Sequence, residues 1–157
     1  MPDTDTLQTL VDKDEITGLI HAYCYHFDRA DPDAVAALLT DDAVIDYGPD
    51  VANLTSAAAL HEMVTRGATN LFAATSHHVS NIAITLDGPD AAESNCYLYA
   101  WHRYRQDNAE SELWGQYDHS FRRTPEGWRI SRLVLSAAGM RSFHRDRMHP
   151  VPRRIGG

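Results

Sequence analysis

The sequence predicts an α+β fold in which helices gather on one face of a curved antiparallel sheet, and three observations carry that prediction. Apolar residues recur at spacings of three and four in the first part of the chain, and from Ser76 onward they alternate with polar ones. The breaks in this second part are short and rich in turn formers.

From Thr6, the residues Leu7, Leu10 and Val11 read as a short lead-in helix or arm. Asp12-Lys13-Asp14-Glu15 then supplies an acidic cap, so a new helix is expected there. Its stripe is Ile16, Leu19, Ile20, Tyr23, Cys24 and Phe27, and it ends near Arg29. Asp31-Pro32-Asp33 repeats the start signal with an Asp cap and proline in the first turn, leading into a short helix from Ala34 to Leu39. In Ala43-Val44-Ile45-Asp46-Tyr47 the alternation predicts a strand that turns Ala43, Ile45 and Tyr47 to one face, stopped by Gly48-Pro49-Asp50. A third helix, capped by Thr55 or Ser56, carries Leu60, Met63 and Val64 to Gly67. Four strands follow: Ser76 to Leu86, Ala91 to Arg105, Glu112 to Arg123 and Trp128 to Ala138. Asp87-Gly88-Pro89-Asp90, Gln106-Asp107-Asn108-Ala109 and Thr124-Pro125-Glu126-Gly127 separate them, all with hairpin-type turn residues. From Arg141 onward five Arg against one Asp make the chain locally basic. Residues 1–140 therefore read as one domain, and 141–157 as a basic tail with a mobile end.

Composition narrows the function. A chain of 157 residues, 43% hydrophobic and 23% charged, has room for one core and folds without staples. Its net charge of −8 disfavours nucleic-acid binding, which depends on clustered cations. Cys24 and Cys96 are far apart and in no metal-binding spacing, which fits a reducing compartment. No apolar run reaches the ~18 residues of a membrane span, and Met1 to Asp14 is acidic where an export signal would be basic and then apolar. The expectation is a cytoplasmic protein with a small-molecule substrate and no nucleic-acid or membrane partner.

Asp28 borders the apolar stripe of the first long helix, near its C-terminus, where the macrodipole disfavours a carboxylate and makes a partner or a function more expected. In Thr75-Ser76-His77-His78 the adjacent histidines of a strand point to opposite faces, so only one reaches the interior and the two cannot chelate one metal. His102 is the polar member of the otherwise apolar row Cys96, Leu98, Ala100; it is either a core histidine held by a hydroxyl or part of a cavity wall. Leu60-His61-Glu62-Met63-Val64-Thr65 has Thr65 where the HExxH zinc helix needs its second His, so no metal site is expected. On the other face Tyr97, Tyr99, Trp101 and Arg103 are too aromatic for a solvated surface and form the candidate interface of a homo-oligomer, a dimer or trimer.

These positions together resemble a known family. Tyr23-x4-Asp28, Asp42-Ala43-Val44-Ile45-Asp46-Tyr47, Thr75-Ser76-His77-x3-Asn81-Ile82, Gly115-Gln116-Tyr117 and Gly127-Trp128-Arg129-Ile130 are similar to motifs of the SnoaL-like branch of the NTF2-like superfamily, over about residues 5 to 138. Within the branch the chain resembles scytalone dehydratase, hexachlorocyclohexane dehydrochlorinase and bile-acid 7α-dehydratase. The resemblance implies a cone-shaped curved sheet closed by helices around one pocket, and a lyase or isomerase without cofactor. It places the catalytic Asp on Asp28, the catalytic His on His77, and substrate-binding groups on Tyr23, Tyr47 and His102. Leu133 stands where the dehydrochlorinase has Arg, which favours dehydration or isomerisation over loss of chloride. Histidine suits proton abstraction near neutrality, and an Asp accepting one ring N–H fixes the tautomer. The same fold also serves non-catalytic carriers and dioxygenase small subunits, and polyketide-type cyclases of the branch use a His and an Asp. The stretch Arg141-Ser142-Phe143-His144-Arg145 follows the last strand and is expected near the pocket mouth, where Phe143 is either a lid or part of a disordered basic tail without a role.

Overall fold

The computed structural model describes residues 4–153 and 155. Residues 1–3, 154 and 156–157, which include the far end of the basic tail, lie outside the described residues.

Helix α1 (Thr4–Asp28) is followed by α2 (Pro32–Ala36), β1 (Leu39–Asp46), α3 (Ala57–Arg66) and a π-helical turn (Gly67–Leu71). The strands β2 (Phe72–Asp87), β3 (Ala91–Tyr104), β4 (Glu110–Thr124) and β5 (Gly127–Arg141) then form hairpins, and the short β6 (His149–Pro150) ends the order. The expected break at Asp12 does not exist, because α1 runs unbroken through it. Asp12 is no cap: its carboxylate is covered by Arg123 (2.7 Å), Trp128 Nε1–H (3.2 Å) and Gln8 (2.9 Å), partners drawn in part from the other end of the chain. Asp31 does cap α2, accepting from the Ala34 N–H at 3.0 Å, and Ser56 caps α3 in the same way. His61, from the incomplete zinc motif, ties α3 to α2 through Asp33 at 2.9 Å.

The six strands form one curved, unclosed sheet in the order β1-β5-β4-β3-β2, with β6 also on β5. Pairing within the hairpins is antiparallel, as the alternation predicts, but β1 and β6 both run parallel to β5. They share its edge: β1 pairs up to Asp46↔Val134, and β6 takes over at Ser136↔His149. Each hairpin places a turn residue in the left-handed region, Gly88, Asn108 or Gly127. Bulges bend the sheet, one where Asn81 sits at φ 53° between Ser80 and Ala83, another at Trp114/Gly115. Gly115 has no substitute there, since a Cβ would run into the Ser136 carbonyl.

The concave face packs on α1 and holds the core. Trp128, Phe121, Ile16, Ile20, Leu113 and Ile130 are fully buried in it, each worth about 2 kcal/mol of burial. Both cysteines are buried, and burial pushes their thiols up to about 12 (Cys24) and about 11 (Cys96), so they are packing groups. Among the described residues no helix is long and apolar enough to cross a membrane.

Candidate active site

Asp28 is the last residue of α1, and Ala30 follows in the left-handed region, so the chain turns away and leaves the carboxylate at the helix end. Facing the C-terminal dipole, it needs donors, and the start of β2 provides them. Thr75 Oγ1 donates to Asp28 Oδ1 (2.8 Å), the His77 backbone N–H to Oδ2 (2.7 Å), and His77 Nδ1–H to Oδ1 (2.6 Å). Burial alone raises the Asp28 pKa; the hydrogen bond and charge of the His77 ring, then the backbone N–H and Thr75, hold it below the usual carboxylate range. The pair is secluded, with 7% of the His77 side chain exposed and 24% of Asp28.

An ionised carboxylate only accepts, so the proton of a neutral His77 lies on Nδ1 and the Nε2 lone pair is left over. Among the described residues no group bonds Nε2, and the ring lines an interior cavity of about 50 Å³. His78 points outward to Ser76 Oγ at 2.9 Å, as alternation demands. In the β2–β3 register His77 faces Ala100, which places His102 on its diagonal, and the two rings meet edge to face at 5.3 Å.

His102 lies on the cavity wall with its Nδ1 buried and unbonded, so no hydroxyl holds it. Its ring stacks on Phe72 at 4.9 Å. Burial, with the neighbouring His77 and His144, pulls its pKa down to about 3, so His102 is a neutral polar group at any working pH. Tyr47 lines the cavity too, and burial pushes its phenol up to about 12, so it stays a donor. Tyr23 is placed differently from expectation. It sits behind Tyr47, shares a short hydrogen bond with the Tyr47 hydroxyl, and does not line the cavity.

The sequence reading passed over two further wall residues. Tyr117 follows Leu113 and Gly115 on the inward row of β4 and packs edge to face on Tyr23 at 6.0 Å, so its place was legible from alternation. Arg145 belongs to the tail stretch expected near the pocket mouth, but its bond to the Tyr47 carbonyl was not legible, because that contact spans 98 residues. Phe143, His144 and Arg145 close the cavity together, Phe143 lying 5.6 Å from the His102 ring. The tail is anchored by Arg147 Nε to Asp50 at 2.6 Å, His149 Nε2 to Asp46 at 2.9 Å and β6. At about 50 Å³ the cavity has room for a few waters at most. An imidazole with an oriented tautomer, a second, neutral imidazole and a phenol thus line one small cavity, an arrangement able to move a proton.

The sequence matches the SnoaL-like domain over residues 8–134. The chain belongs to the SnoaL-like family. Its fold is that of the NTF2-like superfamily, of which the family is a branch. A scytalone dehydratase-like protein of Novosphingobium aromaticivorans superposes with a TM-score of 0.87 at 28% identity, over 94% of this chain and 98% of that one. A protein of the same organism described as an aromatic ring hydroxylase follows at 0.77 and 26%, over 83% and 91%. The hexachlorocyclohexane dehydrochlorinase LinA-type3 of Novosphingobium barchaimii shares the fold at 0.80 and 15% identity, over 94% and 99%. No curated protein matches the chain. Leu133 is fully buried in the core and does not line the cavity.

Proposed function

We propose that this SnoaL-like protein is a cofactor-free lyase or isomerase that removes a proton from a small, mostly hydrophobic, cyclic substrate. One observation carries the reading: the Asp28 carboxylate takes both the ring Nδ1–H and the backbone N–H of His77, so that Nε2 is left as a base at the cavity wall. Asp28 stabilises the imidazolium that forms, without taking its proton. Tyr47 and neutral His102 bind the polar groups of the substrate and donate to the oxygen on which charge develops, or to the departing hydroxyl. Tyr23 positions the Tyr47 hydroxyl from behind. The segment Phe143–Arg145 moves aside for substrate and closes behind it, excluding water from the step.

The test is turnover of a panel of cyclic β-hydroxyketones, followed by loss of the hydroxyl and of the α-proton, with the purified protein treated with EDTA. The reading requires turnover by the wild type and its loss in His77→Ala; equal turnover by both would end it.

The convex face of the sheet supports a second copy of the chain as partner. Tyr97 is 50% exposed and Trp114 is 40% exposed, with Tyr99 tethered to Glu112 and Arg103 over Trp101 beside them. A monodisperse monomer in light scattering at micromolar concentration would remove this partner.

A further inference from the structure

Arg145 is a cation in an unusual place. Its guanidinium closes the cavity beside Tyr47, yet among the described residues no carboxylate pairs with it. Nη1–H donates to the Tyr47 carbonyl at 2.7 Å, and the group lies over the Tyr47 ring at 5.5 Å, which offsets part of its charge. A guanidinium has five N–H donors, and the remaining ones have no acceptor among the described residues.

Asp50, whose charge acts on Arg145 without a direct ion pair, is bonded elsewhere by the same tail, as is Asp46. Asp50 accepts from the backbone N–H groups of Asp146 (3.0 Å) and Arg147 (2.8 Å) and from Arg147 Nε (2.6 Å). Asp46 is held by His149 through both oxygens. Asp146 borders the hollow outside the cavity from an exposed position and makes no bond to Arg145. Partial burial of an unpaired charge is costly, and burial pulls the Arg145 pKa down, but a guanidinium stays ionised at neutrality. A cation kept unpaired at the junction of the closed cavity and the outer hollow is matched by an anion that arrives with the ligand.

We propose that Arg145 is a substrate-binding residue that selects a carboxylate, so that the substrate is a small hydroxy- or oxo-carboxylic acid with its apolar body toward His77 and its ionised group at the mouth. This deepens the reading of the pocket as a proton-abstraction site and rests on it. A planar guanidinium meets a carboxylate through two parallel N–H···O bonds, which sets the direction in which the substrate lies as well as its charge.

The experiment is calorimetric titration of the full chain at neutral pH with benzoate and with its neutral isostere benzamide. Benzoate is expected to bind the wild type at least about tenfold more tightly than benzamide. Arg145→Gln is expected to erase that preference, and Arg145→Lys to retain part of it. Arg141→Gln, which removes a tail cation paired with Glu112 on the outer face, is expected to leave it intact. Equal binding of the two probes, no benzoate binding at millimolar concentration, or an undiminished preference in Arg145→Gln would each overturn the assignment. Because the wild-type comparison stands by itself, a variant whose tail fails to seat does not rescue the idea. The two readings also fail separately. Benzoate binding that persists in His77→Ala, with no turnover by the wild type, counts against the base, whereas turnover with no preference for benzoate counts against Arg145 alone.

Discussion

Two covered carboxylates of α1, Asp12 and Asp28, meet two different kinds of partner at two places on one helix. Both have pKa values held below the usual range despite the opposing effect of burial. Asp12 is answered by a permanent cation, Arg123, which also covers the Trp128 ring at 4.4 Å, and by the Trp128 N–H. Each charge in that cluster meets an opposite one, so the cluster locks α1 onto the last hairpin. Asp28 is answered by a hydroxyl, a backbone N–H and an imidazole, and the imidazole has a second nitrogen on a cavity. The lesson is that a carboxylate paired with a fixed cation is finished, while one paired with a titratable base passes its influence on to whatever the base touches.

The comparison breaks most visibly at Asp28 and His77. Asp28→Asn offers an amide N–H to His77 Nδ1, drives the ring proton to Nε2 and removes the base, so kcat is expected to fall about 10²- to 10⁴-fold with Tm little changed. His77→Ala is expected to lose as much, and the double variant little more than the worse single one, as groups acting as one unit do. Additive losses in steady-state kinetics would mean that the two residues act apart.

Removing the chain from Arg141 onward is expected to lower kcat/KM about tenfold or more while calorimetry still shows one cooperative transition, because the lid goes and the core stays. Unchanged kinetics would leave the tail without a role in the pocket.

Asp12→Asn is the mirror experiment. It trades a charge-assisted cluster for a neutral amide, so a loss of about 2 kcal/mol is expected, which for a domain of this size is a fall in Tm of about 6 °C. Turnover is expected to survive at temperatures where the variant is folded. A variant that keeps its Tm and loses activity would reverse the assignment of the two carboxylates.

The smallest effect sharpens the contrast between a charge used and a charge excluded. Burial pushes His102 and His119 each down to about 3, against about 6.5 in an unfolded chain. Between these values the unfolded chain binds more protons, so stability is full above about pH 6.5 and is lost as pH falls toward 3. Asp28, held low when folded, adds its own loss only below the range of a free carboxylate, about pH 4. His119, bonded to Ser94 Oγ at 3.1 Å and absent from the cavity wall, separates the two sources. In His119→Gln the decline of Tm between pH 6.5 and pH 4 should be shallower than in the wild type; an identical slope in calorimetry would show that His119 is not a buried neutral histidine.

What the sequence by itself determined is whatever rests on short range. The spacing of Ile16, Ile20, Tyr23 and Phe27 set the buried face of α1, alternation set the inward rows of the strands, and Asp31, Ser56 and the turn residues set where elements begin and reverse, because caps and pleats involve residues a few places apart. His77 inward and His78 outward follow from the same period of two. Tertiary structure decided the rest. Asp12 looks like a helix start until Arg123 and Trp128 arrive from the far end of the chain, Tyr23 looks like a pocket residue until Tyr47 stands in front of it, and Arg145 looks like one more arginine of a basic tail until β6 docks parallel to β5 and sets it over the cavity. A local pattern says which face a residue takes, but its partner is chosen by which distant segments the curved sheet brings together, and neither period nor propensity carries that information.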